Sequence, residues 1–181
     1  MKSNFKLNVA GLTRELPILR LNDTLSIASF VLLGDTELVV QSAPLLAEKL
    51  PDLDILVGAE AKGIPLVHEL SRILNKERYV IARKSIKPYM GSAVIDEVLS
   101  ITTQVPQILA LDEMDAKRIK GKRIGLIDDV ISTGASLSAL ERLVEQAGGI
   151  IVAKAAILAE GDAANRADII YLEKLPLFWD K

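Results

Sequence analysis

The sequence predicts an α/β domain: a mainly parallel sheet with helices on both faces. Three observations carry this. Short apolar stretches at residues 55–58, 79–82, 123–127, 150–158 and 169–172 read as strands. They are continuously apolar rather than alternating, as strands buried on both faces must be. Helical patterns separate them, at 65–74 and again where Leu137, Leu140, Leu143, Val144 and Ala147 recur at helical spacing before Gly148-Gly149. The 181 residues, 50% of them apolar, suffice for one domain with a real core, residues 1–181.

The elements follow in order. Residues 5–20 read as a hairpin with its turn near Gly11, leading to an apolar stretch over 25–33. Gly34-Asp35 opens a helix through Leu38, Val39, Leu45, Leu46 and Leu50, in which Pro44 either kinks the helix or starts a second one. After the strand at 79–82 comes a polar stretch over 83–91, then strand-like pieces near 94–103 and 107–110. Parallel sheets bind ligands at the carboxyl ends of their strands. The loops after Gly58, Ala82 and Ile127 are therefore where function is expected.

Composition narrows the chemistry. There is no cysteine and one histidine, His68, which excludes disulfides, thiol nucleophiles and zinc sites built from Cys and His. His68 falls within a helix and receives no role. With 22 basic and 24 acidic residues the net charge is −2, which gives no generic electrostatic grip on nucleic acid. The first six residues lack the apolar stretch of a signal peptide, and no run approaches the roughly 18 apolar residues of a membrane span. A cytoplasmic protein without a membrane partner is expected. The remaining tools are carboxylates, Lys and Arg, hydroxyls and backbone amides, with a hard metal ion as the natural addition.

The segment Arg123-Ile124-Gly125-Leu126-Ile127-Asp128-Asp129-Val130-Ile131-Ser132-Thr133-Gly134-Ala135-Ser136 concentrates such groups. A buried strand ends in two carboxylates, and a loop of hydroxyls and glycine enters an amphipathic helix. The unpaired N–H groups and positive dipole end of that helix suit a phosphate, with Thr133 and Ser136 as hydroxyl donors. Asp128 and Asp129 would repel a phosphate. They suit neutral donors such as vicinal sugar hydroxyls, directly or through Mg²⁺. Other phosphate motifs fail: no G-x-G-x-x-G occurs, and Ile64-Pro65 stands where a Walker A loop spaced from Gly58 and Gly63 needs Lys-Ser/Thr.

Residues 124–136 resemble the 5-phosphoribosyl-1-pyrophosphate (PRPP) signature of type I phosphoribosyltransferases. The resemblance implies that family's fold: a central, mainly parallel sheet flanked by helices, with a small hood built largely from the N-terminal segment. Residues 1–33 would form the hood and entry strands, and 53–172 the PRPP-binding core. By this resemblance Asp128 and Asp129 hold the ribose hydroxyls, and through them Mg²⁺, while Ser132, Thr133, Gly134, Ala135 and Ser136 cradle the 5′-phosphate. Gly58-Ala59-Glu60-Ala61-Lys62-Gly63 resembles the pyrophosphate loop, so Glu60, Ala61, Lys62 and Gly63 would meet the diphosphate. The analogy puts a non-proline cis peptide at Ala61–Lys62.

Arg83-Lys84-Ser85-Ile86-Lys87-Pro88 resembles the Arg-Lys-x-x-Lys-x-Pro stretch of adenine and xanthine phosphoribosyltransferases. Arg83, Lys84 and Lys87 would neutralise pyrophosphate, and residues 89–104 would form a mobile flap. Phe30, Val130 and Ile131 are the candidate base contacts; Phe178 and Trp179 are read as anchoring the tail rather than stacking on a base. Two departures are visible. Adenine-specific members usually carry Glu-Tyr after Ser-Leu in the flap, where this chain has Ser100-Ile101-Thr102-Thr103. Hypoxanthine–guanine members place an acid where Ser132 stands, which argues against that branch.

The expected activity is transfer of the 5-phosphoribosyl group from PRPP to a purine-like base of adenine or xanthine type, with release of pyrophosphate. A homodimer is implied by resemblance alone. The alternative is a regulator that senses PRPP or a nucleotide on the same fold without catalysing transfer.

Overall fold

A computed structural model of the chain describes residues 4–98 and 107–179. Its centre is a five-stranded sheet of β4 (Ile55–Ala59), β5 (Val80–Ala82), β8 (Arg123–Ile131), β9 (Ile150–Glu160) and β10 (Ile170–Leu175). The order is β10-β9-β8-β4-β5 and every pairing is parallel. The chain adds β5 on one side of β4 and then returns to place β8 on the other. That reversal sets the carboxyl ends of β4 and β8 side by side, where open α/β sheets bind ligands.

A second sheet, order β1-β2-β3-β11, is antiparallel. The predicted hairpin supplies β1 (Asn4–Val9) and β2 (Leu12–Arg20), and β3 (Leu25–Ala28) follows. The apolar pattern places the end of the last strand at residue 172. In fact β10 runs to Leu175, and the chain doubles back as β11 (Leu177–Trp179) along β3, with Leu177 opposite Ile27. The hood thus takes one strand from the C-terminal end. Phe178 meets Phe5 edge-on at 5.8 Å, while Trp179 remains 63% exposed, so the aromatic pair fastens the tail rather than lining a base pocket.

Helix α1 (Thr36–Ala47) is capped by Asp35, whose carboxylate accepts from Leu38 N–H at 3.1 Å. Arg14 of β2 binds Asp35 at 2.7 Å and Glu37 at 2.8 Å, which pins the hood to this helix. Pro44 neither ends nor splits α1. Helix α2 (Ile64–Ile73) buries Leu66, Val67 and Leu70, each side chain contributing roughly 1.5–3 kcal/mol by leaving water. Hood, α1 and α2 share one apolar core with Leu158 and Leu175 of the sheet. Helix α4 (Ala135–Gln146) covers the opposite face with Leu137, Leu140, Leu143 and Val144.

Two stretches differ from expectation. A short helix, α3 (Glu113–Ile119), forms where no helix was expected; Asp112 caps it by accepting from Asp115 N–H at 2.7 Å. Its seven residues are too few to show an apolar period. The strand-like pieces are β6 (Val94–Val98) and β7 (Gln107–Leu111), an antiparallel pair apart from the parallel sheet. Arg83 bridges to Ala110 in β7, which ties this pair to the β5 edge. Part of the expected flap, including Ser100, Ile101, Thr102 and Thr103, lies outside the described residues.

Candidate active site

The strand that carries the acid pair does not end at Ile127. It continues through Asp128, Asp129 and Val130 to Ile131, because pairing with β9 persists to Ile131 opposite Ala159. Alternation along a strand then decides which side chains face which way. Asp128 and Val130 keep a surface on a cavity of about 570 Å³. Ile131, expected at the base, is instead 2% exposed and packs in the α4-side core. Asp129, although 3% exposed, also reaches the cavity wall.

The two carboxylates are differently placed. Asp128 accepts the Asp129 backbone N–H at 2.8 Å. Enclosure by protein, and then the charge of Asp129, push the Asp128 carboxyl up to about 7. It retains some solvent-facing surface on the cavity, yet protein mass surrounds it on the other sides. Asp129 Oδ2 is buried with no hydrogen-bond partner among the described residues, and its nearest cation is Lys62 Nζ at 3.9 Å. No cluster of three or more His, Cys, Asp or Glu side chains is present among the described residues. A pair of carboxylates with an unpaired buried oxygen does fit Mg²⁺, which keeps waters and takes its other ligands from substrate phosphates.

The pyrophosphate-type loop leaves β4 beside this pair. Its cis peptide is Glu60–Ala61, one residue before the position expected by analogy. A Cβ on Gly63 would lie 3.2 Å from Asp128 Cα, so the missing side chain is what lets the loop approach the acid pair. Glu60 is occupied by the basic stretch. Lys84 N–H donates to its Oε2 at 2.8 Å, and Arg83 Nε stands 2.6 Å from Oε1 as an ion pair whose N–H is not aimed for a hydrogen bond. Glu60, Ala61, Lys62 and Lys84 line the cavity; Arg83, Gly63 and Lys87 do not. Lys87 begins a 3₁₀ turn, where its backbone N–H meets Met90 Sδ at 3.1 Å.

The loop after β8 turns into α4 at Gly134, with φ of 82°. Gly134 offers no side-chain cap and the first turn of α4 has no acid, so its N–H groups beyond Ala135, which donates weakly to Thr133 Oγ1, suit an anion. Ser132 and Ser136 reach the cavity; Thr133 and Ala135 do not line it, and Thr133 Oγ1 stands 3.5 Å from Ala135 N–H. A residue missed by sequence reasoning stands here. Arg166 spends Nε and Nη2 on Asp168, at 2.9 and 2.7 Å, and Nη1 lies 2.8 Å from where a Gly134 Cβ would be. No local pattern could have revealed it, since it arrives from the turn beyond β9.

At the hood end the cavity is walled by Ile27, Ala28, Ser29, Phe30 and Val31, with Leu175 and Glu160 from the sheet. Phe30 lines this end of the cavity while 7% exposed and packed in the hood core, and Glu160 is a second residue the sequence did not single out. His68 is remote from this chemistry, edge-on to Tyr79 with ring centroids 5.8 Å apart. The arrangement juxtaposes a helix-start loop suited to an anion, an acid pair suited to hydroxyls or Mg²⁺, a lysine-bearing loop and a partly apolar chamber.

The phosphoribosyl transferase domain family model matches residues 35–174. An adenine phosphoribosyltransferase of Thermosipho africanus is 33% identical over 80% of this chain and 82% of its own length. A hypoxanthine/guanine phosphoribosyltransferase of Ferroglobus placidus is 30% identical over 64% of this chain and 57% of its own. In fold, the adenine phosphoribosyltransferase of Thermoanaerobacter pseudethanolicus superposes with a TM-score of 0.66 at 24% identity, covering 79% of this chain and 84% of that one. The chain belongs to the type I phosphoribosyltransferase family, on its adenine branch.

Proposed function

We propose that this protein transfers the 5-phosphoribosyl group from PRPP to a purine base, of adenine type in the first instance, and releases pyrophosphate. One observation carries the reading. A single cavity has Asp128, Asp129, Ser132 and Ser136 on one wall, Lys62 and Lys84 on another, and the hood over both. A phosphate ester, a diol and a diphosphate each find complementary groups there, with room for a ring beneath Phe30.

In this reading the α4 N-terminus, with Ser132 and Ser136, takes the 5′-phosphate. Asp128 and Asp129 accept hydrogen bonds from the ribose hydroxyls and fix C1′ beneath the base. Lys62 and Lys84 offset the charge that builds on the departing diphosphate, the kind of preorganised electrostatics that dominates such reactions. Arg83 acts one step back, by holding Glu60 and with it the loop. Mg²⁺, when bound with PRPP, supplies further positive charge at the diphosphate. Phe30 and the other hood residues, with Val130 of β8, exclude water from a centre that becomes oxocarbenium-like. A homodimer belongs to the same proposal. Among the described residues no helix is long and apolar enough to cross a membrane.

The test is pyrophosphate release from PRPP and Mg²⁺ with adenine, xanthine, hypoxanthine, guanine, uracil and orotate in turn. Release with a purine, adenine foremost, is the expected result. Binding of PRPP without release for any base would overturn the enzymatic reading in favour of a sensor.

A further inference from the structure

Four carboxylates line the cavity: Glu60, Asp128, Asp129 and Glu160. Glu60 is held by Arg83 and Lys84 N–H, Asp128 accepts from Asp129 N–H, and Asp129 faces Lys62. Glu160 has no hydrogen-bond or ion-pair partner among the described residues. It feels only the more distant charge of Lys62, and burial holds its carboxyl above the ordinary range. A half-buried carboxylate with no protein partner and a place on the cavity wall is free to accept a hydrogen bond from a ligand donor.

Its place in the fold says which part of the ligand it meets. Glu160 ends β9 directly opposite Leu175 of β10, and Leu175 packs in the core that the sheet shares with the hood and also lines the cavity. The next residue, Gly161, lies under β11: a Cβ there would come 2.6 Å from Leu177 Cδ1. Leu177 in turn pairs with Ile27, a cavity residue of β3. Glu160 therefore stands at the junction of sheet and hood, on the side of the chamber assigned to the base. An anion there cannot serve phosphate. It serves N–H.

We propose that Glu160 is a specificity-determining residue whose carboxylate accepts a hydrogen bond from an N–H donor, an exocyclic amino group or a ring N–H, on the bound base. The proposal rests on the phosphoribosyl-transfer reading for the orientation of the ligand. It makes the chamber selective for bases that present a donor at the hood edge. Bases that present only acceptors there meet an unpaired carboxylate and are rejected. Such contacts discriminate more sharply than a methylene in an apolar pocket does.

The experiment compares wild type, Glu160→Leu and Glu160→Gln in kinetics with adenine, guanine, hypoxanthine and xanthine. Glu160→Leu is expected to raise KM for the preferred base about 10- to 100-fold, the range a charge-assisted hydrogen bond supports. KM for PRPP should stay within about twofold, and Glu160→Gln, which keeps one acceptor oxygen, should recover part of the loss. Discrimination among the four bases should shrink in Glu160→Leu. Unchanged discrimination, or equal loss toward PRPP and base, overturns the proposal.

A parallel arm measures the Kd of AMP, GMP, IMP, XMP and ribose 5-phosphate by calorimetry. If wild type turns over no base, the enzymatic reading fails on its own. The role of Glu160 then stands if Glu160→Leu weakens one nucleotide and leaves ribose 5-phosphate unchanged. It falls if no nucleotide binds more tightly than ribose 5-phosphate, or if the variant alters none of them.

Discussion

Under the proposed function one end of the cavity meets phosphate and the other the base, and these two ends are built on opposite plans. The phosphate end comes from contiguous sequence: Asp128, Asp129, Ser132 and Ser136 lie within nine residues on one strand, one loop and one helix start. The base end is assembled from Phe30, Val130, Glu160 and Leu175, contributed by the hood and three different strands. Recognising a phosphate ester needs several donors at fixed spacing, and consecutive residues at a helix start provide them. Enclosing a flat ring needs walls on several sides, which only distant segments can supply. Chemistry shared by many substrates is thus concentrated, while the choice of base is dispersed.

The largest expected effect breaks the concentrated end. Asp128→Asn with Asp129→Asn should lower kcat/KM by about a thousandfold or more while leaving circular dichroism intact, since loss of preorganised charge typically costs that much. Next comes Gly134→Ala. A side chain at φ of 82° is strained whatever the space around it, so the loop must shift, and the Arg166 guanidinium 2.8 Å from the new Cβ must also move aside. KM for PRPP should rise about tenfold to a hundredfold, measured with base held at saturation. An unaltered KM would mean that the loop does not meet the phosphate.

Stability supplies the third comparison. The Asp128 carboxyl sits at about 7 in the fold, well above an unfolded aspartate. Between roughly pH 4 and 7 the unfolded chain has released this proton and the folded one has kept it. The contribution of Asp128 is therefore fully present below about pH 4 and is lost as pH rises through 7. Asp128→Asn should melt higher than wild type at pH 8, by about 1–3 kcal/mol of stability, with the gap closing near pH 4. The opposite trend would mean that the carboxylate is stabilised by the fold. The smallest effect belongs to the dispersed end's periphery. Trp179→Ala removes a side chain that is 63% exposed, and should change stability by less than about 1 kcal/mol and base KM not at all.

The same contrast explains what the sequence made legible. Runs such as Ile55-Leu56-Val57 announce a buried parallel strand, and Asp128-Asp129 with Ser132 and Ser136 announce a polar cluster that gathers on one wall of the cavity, because each signal is local. The extent of β8 was misjudged by four residues. Charged Asp128 and Asp129 look like a strand end, but backbone pairing with β9 is indifferent to them. That pairing sends Ile131 into the core instead of toward the base. β11 escaped notice because three residues form a strand only once β3 offers an edge. Arg166 and Glu160 carry no pattern of their own; the topology alone brings one to Gly134 and the other beneath the hood.

Titration of PRPP into wild type and into the Asp128→Asn, Asp129→Asn variant, followed by calorimetry in the presence of Mg²⁺, tests most directly that the acid pair at the end of β8 holds the ribose. Saturable binding to wild type and its loss, or weakening by about a hundredfold or more, in a variant that remains folded is the predicted result. Equal affinity for both proteins would contradict it.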